Sequence, residues 1–187
     1  MTIWVSSRFR APPLSDEIRP VKVVSLLAPW DEFPVFSHLD EGQHLRLAFE
    51  DVEADDETPD PPMPEHVEKL IEFVSDWDRS DPILIHCWAG VSRSTASAFI
   101  TACLLNPDRD ELEIADLLRA ASPTAKPNRQ LVTFADSLLG RNGRMLKAVM
   151  TMPPHTYAED AEPFALPTQF DDVRGHWVSV SYTHLTL

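Results

Sequence analysis

Cysteine is scarce in this chain of 187 residues: Cys87 and Cys103 are the only two, too few for a disulfide scaffold. Positive charge is scarce as well. Lysine and arginine total 16 against 30 aspartates and glutamates, a formal net charge of −14. No basic cluster interrupts that excess, which argues against nucleic acid and anionic membrane surfaces as partners. No apolar run has membrane-spanning length, and the N-terminus lacks a signal-peptide pattern. His38, His44 and His66 show no metal-ligand spacing among themselves or with cysteine, so neither a metal nor another cofactor is expected. What remains is an apolar content of 43%, enough for one domain with a substantial core. The expectation is a soluble, acidic, cytoplasmic, monomeric protein.

Along the chain, strand and helix patterns alternate. Ile3-Trp4-Val5 reads as a short strand, Pro13 to Arg19 as a helical turn or two, Val21 to Leu27 as a second strand, and Leu45 to Phe49 as a third. Pro64 to Trp77 carries Val67, Leu70, Ile71, Val74 and Trp77 at helical spacing, with proline suited to the first turn. A strand at 82–86 follows, then helices near 94–105, 110–121, 127–139 and 143–150. This order fits an α/β fold with a parallel-rich central sheet flanked by helices and a site at a strand's carboxyl end. No internal repeat is visible. The domain is placed at 1–150, with 151–179 as a C-terminal extension. Residues 180–187 are set aside, because Val180-Ser181-Tyr182-Thr183-His184-Leu185 matches what one frame of a common sequencing adapter would encode.

The most informative stretch is His86-Cys87-Trp88-Ala89-Gly90-Val91-Ser92-Arg93-Ser94. It follows the apolar run Pro82 to Ile85 and opens a small-residue segment, Thr95 to Ile100. Strand, tight loop and helix are read in that order. A loop folded between a strand exit and a helix start turns backbone N–H groups inward, an anion cradle reinforced by the helix dipole. Cys87 lies where a thiolate is stabilised and a phosphate can bind. Arg93 offers a planar fork for two phosphate oxygens, which lysine cannot supply. Gly90 lets the backbone turn where a side chain would obstruct it.

These residues resemble the signature loop of the cysteine-based protein tyrosine phosphatases: His-Cys, five residues, Arg, then Ser or Thr. The Ala-Gly-Val-Ser-Arg-Ser core is similar to the dual-specificity branch, and the chain looks closest to small bacterial members. Ser122-Pro123-Thr124-Ala125-Lys126-Pro127-Asn128 resembles the family's Pro-Asn element, and Val23 to Leu27 its opening strand, so the likeness covers about 20–140. It implies a protein tyrosine phosphatase-like fold and hydrolysis of phosphotyrosine, with tolerance for phosphoserine and phosphothreonine, through a cysteinyl-phosphate. It assigns Cys87 as nucleophile, Arg93 and the loop from Trp88 to Ser92 as the phosphate site, Ser94 as an aid to thiolate departure, and His86 as an ordering residue. Asn128 is expected to tie loops together. Two rivals are weighed: a phosphotyrosine-binding pseudophosphatase, and a rhodanese-like sulfurtransferase, whose loop usually lacks the His-Cys…Arg-Ser arrangement.

The reaction also needs an acid that later acts as base, in the family an aspartate upstream of the cysteine. The segment from Glu50 to Glu68 is densely acidic, has no lysine or arginine, and is broken by Pro59, Pro61, Pro62 and Pro64. Asp51 stands just past the third strand, where related domains place the acid. Asp55 and Asp56 fit the family's usual interval to the cysteine better, and both stay open as alternatives. Cys103, Trp30 and Trp77 are read as packing residues, while Trp88 could border the pocket mouth. The loop's uncharged variable positions and the net negative charge favour a phosphorylated protein or peptide as partner over a phosphoinositide.

Overall fold

The computed structural model describes residues 1–53 and 57–170. In chain order the elements are β1 (Thr2–Ser7), α1 (Ala11–Ile18), β2 (Lys22–Leu27), β3 (His44–Ala48), α2 (Pro64–Ser75), β4 (Ile83–Cys87), α3 (Arg93–Leu105), α4 (Glu111–Ala121), α5 (Arg129–Leu138), α6 (Arg144–Thr151) and β5 (Phe164–Pro167). They form one five-stranded sheet in the order β3-β2-β4-β1-β5. The pairs β2–β3, β2–β4 and β1–β4 are parallel, while β5 runs antiparallel to β1.

The central strands are nearly continuous apolar runs because both faces of the sheet are covered. Alternation still assigns each residue to a face. Ile3, Val5, Val24, Leu26, Ile83, Ile85 and Cys87 join the main core beneath α2 to α6. Val23 and Leu84 turn the other way and pack with Ala11 and Phe36 beneath α1. This alternation sends Cys87 to the helical side and its neighbour His86 to the α1 side, which sets up everything that follows.

Helix α3 runs through the middle of the protein, with every residue from Arg93 to Cys103 buried. Its small residues permit close approach to the sheet, and two of its buried hydroxyls bond carbonyls of the preceding turn. Thr95 Oγ1 donates to the Val91 carbonyl at 2.6 Å and Ser97 Oγ to that of Arg93 at 2.9 Å, as buried hydroxyls require. Farther along, Glu111, only 2% exposed, accepts from Arg141 at 3.2 Å and Arg144 at 3.0 Å. Arg141 also donates to the Cys103 carbonyl at 2.8 Å, so α4, α6 and α3 are locked together. Cys103 is core as expected, and burial pushes its thiol pKa well up.

Two readings change. The segment placed after the domain supplies an edge strand: β5 pairs with β1 from Val5↔Phe164 to Thr2↔Pro167. A four-residue strand ending in proline carries too little pattern to be read from sequence, and proline suits an edge. Trp30 is not a packing residue, for it is 68% exposed, whereas Trp77 is buried with its indole N–H on the Asp81 carbonyl. The adapter-like residues 180–187 lie outside the described residues.

Candidate active site

Residues 88–92 link the C-terminal end of β4 to the first residue of α3. Their carbonyls are held outward by four different parts of the chain. Arg8 N–H donates to Trp88 O at 3.2 Å, Ala161 N–H to Ala89 O at 2.9 Å, Lys126 N–H to Val91 O at 2.8 Å and Ala96 N–H to Ser92 O at 2.9 Å. In a planar trans peptide the next residue's N–H points opposite to the carbonyl. The N–H groups of Ala89, Gly90, Ser92 and Arg93 are therefore aimed into the hollow of the loop. Gly90 is required on two counts: its φ is +75°, and a Cβ there would lie 2.9 Å from the backbone of Ser6 and Ser7. The N-cap side chain, Ser92, does not cap α3, so the helix's first N–H groups stay open to an anion.

Cys87 and Arg93 face this hollow almost sealed from solvent, at 1% and 4% exposure. Cys87 Sγ lies 3.1 Å from Ser94 Oγ. The Arg93 guanidinium donates through Nη1 to the Phe49 carbonyl at 2.7 Å. Its Nε is buried and has no hydrogen-bond partner. A buried charged donor left open in this way is costly unless a ligand oxygen completes it.

Asp51 is brought directly to this hollow. Its Oδ1 accepts from Ser92 Oγ at 2.7 Å and from Asn128 Nδ2 at 3.0 Å, and its Oδ2 stands 3.7 Å from Arg93 Nε. The segment carrying it is pinned where it leaves β3: Phe49 N–H donates to Leu27 O at 2.9 Å and Glu50 N–H to Asp60 O at 2.8 Å. Asn128 has two tasks. Its Oδ1 caps α5 by accepting from Gln130 and Leu131 N–H at 3.1 Å, while its amide also donates to Val52 O at 3.0 Å. One residue thus fixes a helix start and the aspartate's position together. Asp51, Cys87, Trp88, Arg93, Asn128 and Tyr157 are among the residues lining a cavity of ≈ 540 Å³. Asp55 and Asp56 lie outside the described residues.

The protein-tyrosine phosphatase family model matches residues 54–128. Over that stretch, which includes Cys87 and Arg93, the chain is similar to the protein-tyrosine phosphatase family. Among solved structures, DUSP15 matches with a TM-score of 0.56 at 17% identity, covering 82% of this chain and 94% of that one. Human DUSP28 matches with a TM-score of 0.56 at 17% identity, covering 75% of this chain and 95% of that one. The Yvh1 phosphatase domain from Chaetomium thermophilum matches with a TM-score of 0.55 at 21% identity, covering 76% and 93%. These likenesses place the fold with the dual-specificity type of protein tyrosine phosphatase. No curated protein shows significant sequence similarity to the chain.

Behind the loop of residues 88–92, on the α1 side of the sheet, lies a buried chain of three side chains. Ser25 Oγ sits 2.6 Å from His86 Nε2 and 2.7 Å from His44 Nε2. The serine hydroxyl has one proton, so it donates to one imidazole and accepts from the other. Phe36 meets both rings edge-on, at centroid distances of 5.1 Å to His44 and 6.0 Å to His86. Burial, the largest cause in each case, pushes the pKa of His86 down to about 3 and that of His44 down to about 4. Both are neutral near pH 7, and His86, next to Cys87, is held to Ser25 by a neutral hydrogen bond.

This pair makes stability depend on pH. An unfolded imidazole takes up a proton below about pH 6.5, while the folded protein resists protonation of these two down to about 4 and 3. Between those limits the unfolded state binds more protons, so stability is lost as pH falls. Melting temperature is expected to drop between pH 7 and pH 4.5, and His44→Gln is expected to flatten that slope. A parallel slope in parent and variant would sink the assignment.

Of the residues singled out from the sequence, Cys87, Arg93, Ser94, Asn128 and Asp51 come together at the hollow, whereas His86 turns to the opposite face of the sheet. Sequence reasoning missed Ser25, whose place in an apolar strand gives no signal until the register sets it opposite His86. It also missed Tyr157, which reaches the cavity only because the chain after α6 doubles back across it.

Proposed function

We propose that the protein removes phosphate from phosphotyrosine in proteins, with phosphoserine and phosphothreonine as secondary substrates, through a cysteinyl-phosphate. The observation that carries this reading is the open Nε of buried Arg93 within a loop whose N–H groups converge beside Cys87 Sγ. In the first step the Cys87 thiolate attacks phosphorus and the P–O bond to the leaving group breaks. The Asp51 carboxyl gives its proton to that oxygen. In the second step water attacks the cysteinyl-phosphate, Asp51 takes its proton, and the S–P bond breaks to release inorganic phosphate. Ser94 Oγ, 3.1 Å from Sγ, hydrogen-bonds the departing thiolate. Loop N–H groups and Arg93 hold the phosphoryl oxygens throughout.

The assignment of the acid is tested by leaving-group dependence. Asp51→Asn is expected to lower kcat/KM by about 10²-fold or more on phenyl phosphate, whose leaving oxygen needs a proton. On 4-nitrophenyl phosphate, whose phenolate leaves unaided, the loss is expected to be much smaller. Asp55→Asn and Asp56→Asn are measured alongside. If either of those shows the leaving-group dependence and Asp51→Asn does not, the proton donor is reassigned to it. The net charge of −14 and the uncharged side chains at Trp88, Ala89, Val91 and Ser92 support a phosphoprotein over a polyanionic lipid headgroup.

A further inference from the structure

The chain between α6 and β5 crosses the mouth of the cavity as a strap. One end is fastened by Thr156 N–H on the Pro123 carbonyl at 2.8 Å, beside the Asn128 element. The other is fastened to the phosphate loop itself, by Ala161 N–H on the Ala89 carbonyl at 2.9 Å. Arg10 clamps the same stretch through Asp160 at 3.0 Å and Glu162 at 2.8 Å. Between these fastenings Tyr157 and Ala158 line the cavity. The Tyr157 ring is 78% exposed, and its hydroxyl donates to Glu159 at 3.2 Å.

Trp88, from the loop itself, lines the same cavity and is 42% exposed. It is braced from outside the cavity: the Arg8 guanidinium lies 4.7 Å above its ring and Phe9 meets it edge-on at 5.6 Å. Two aromatic rings thus stand at the rim of a cavity whose floor is polar and cationic. Exposed rings gain when they cover an apolar group. A phosphate seated in the loop places the atom bonded to its bridging oxygen toward that rim. For an aryl ester this is a flat ring at the height of Trp88 and Tyr157. For a serine or threonine ester it is a short alkyl carbon, and the peptide backbone is drawn down against the strap.

Resting on the phosphatase reading above, we propose that the strap is a specificity wall: Tyr157 and Trp88 grip the substrate's phenyl ring and make the site prefer aryl over alkyl phosphates. The effect is carried by the ring of Tyr157 and not by its hydroxyl, which is turned to Glu159.

The test compares kcat/KM on two peptides of one sequence, bearing phosphotyrosine or phosphothreonine at the same position. Parent, Tyr157→Ala, Trp88→Ala and Tyr157→Phe are assayed. The parent is expected to favour phosphotyrosine. Each alanine variant is expected to lower the phosphotyrosine-to-phosphothreonine ratio by about 3- to 10-fold, the range of one aromatic contact, and Tyr157→Phe to keep the parent's ratio. Tyr157 is exposed, so its replacement leaves the fold intact, which a melting curve checks. An active parent whose ratio survives both alanine changes overturns the wall, as does a parent that prefers phosphothreonine. A parent inactive on both peptides instead overturns the phosphatase reading and takes the wall with it.

Discussion

Cys87→Ser is expected to reduce hydrolysis of 4-nitrophenyl phosphate by at least about 10⁴-fold while leaving the melting temperature close to the parent's. The loss is chemical. A serine hydroxyl ionises far less readily than a thiol, and the group hydrogen-bonded at this position is the Ser94 hydroxyl at 3.1 Å, which is no base; His44 and His86 lie on the other face of the sheet. Even if an ester formed, an alkoxide would be a far poorer leaving group than a thiolate in the second step. The fold should not suffer. Residue 87 is 1% exposed and ends β4, where oxygen replaces sulfur with little change of volume and can still pair with Ser94. Because the cradle stays formed, the variant is expected to bind a phosphotyrosine peptide that it cannot turn over. Calorimetric titration alongside the rate assay checks both halves. Residual turnover within about tenfold of the parent would falsify the thiol-phosphate route.

How far the sequence led depends on how local each feature is. The loop was legible because its chemistry is contiguous: Cys87, Gly90, Arg93 and Ser94 sit within one strand-loop-helix unit, and each has a reason for its place that needs nothing distant. Helices α2 and α4 to α6 were legible from apolar spacing, and strands β2 to β4 from β-rich runs bounded by polar residues. Asn128 was legible as a loop tie, but its reach to Asp51 was not, because that contact spans separate segments and depends on how α5 packs. Ser25 and His44 carry no signal of their own, since a serine in an apolar strand is ordinary until parallel pairing sets it beside His86. The strap was the largest gap. Residues 152–163 hold no regular element, and only their hydrogen bonds to Pro123 and Ala89 show that they wall the site.

That wall bears on why the loop is so rigidly presented. Its outward carbonyls are not bonded to one another but to β1's exit, the strap, the Asn128 element and α3. Each of those parts is itself held by packing or ion pairs, so the inward N–H groups are fixed before substrate arrives. Electrostatic stabilisation of this kind is effective because no reorganisation is needed during the reaction. The same arrangement means that truncating the chain after α6 would free the Ala89 carbonyl and loosen the cradle from one side.

Arg93→Lys is expected to lower kcat/KM by about 10²- to 10³-fold, although charge is conserved. The guanidinium has a fixed planar fork, and the structure uses that fork in two directions. Nη1 holds the Phe49 carbonyl at 2.7 Å, and Nε, with no hydrogen-bond partner, forms only a 3.7 Å ion pair with Asp51 Oδ2. A lysine ammonium is one point on a flexible stem. It can take the Phe49 carbonyl or meet a phosphoryl oxygen, and in either place it leaves the other group unpaired in a buried site. Phe49 is two residues before Asp51, so losing its tether also loosens the acid. The two sites are therefore coupled, and a double-mutant cycle of Arg93→Lys with Asp51→Asn is expected to lose less on phenyl phosphate than the product of the single losses. Competitive inhibition by inorganic phosphate should weaken in Arg93→Lys and hold nearer the parent's in Asp51→Asn. A lysine variant within about fivefold of the parent on both measures would mean that positive charge alone suffices and that the fork's geometry plays no part.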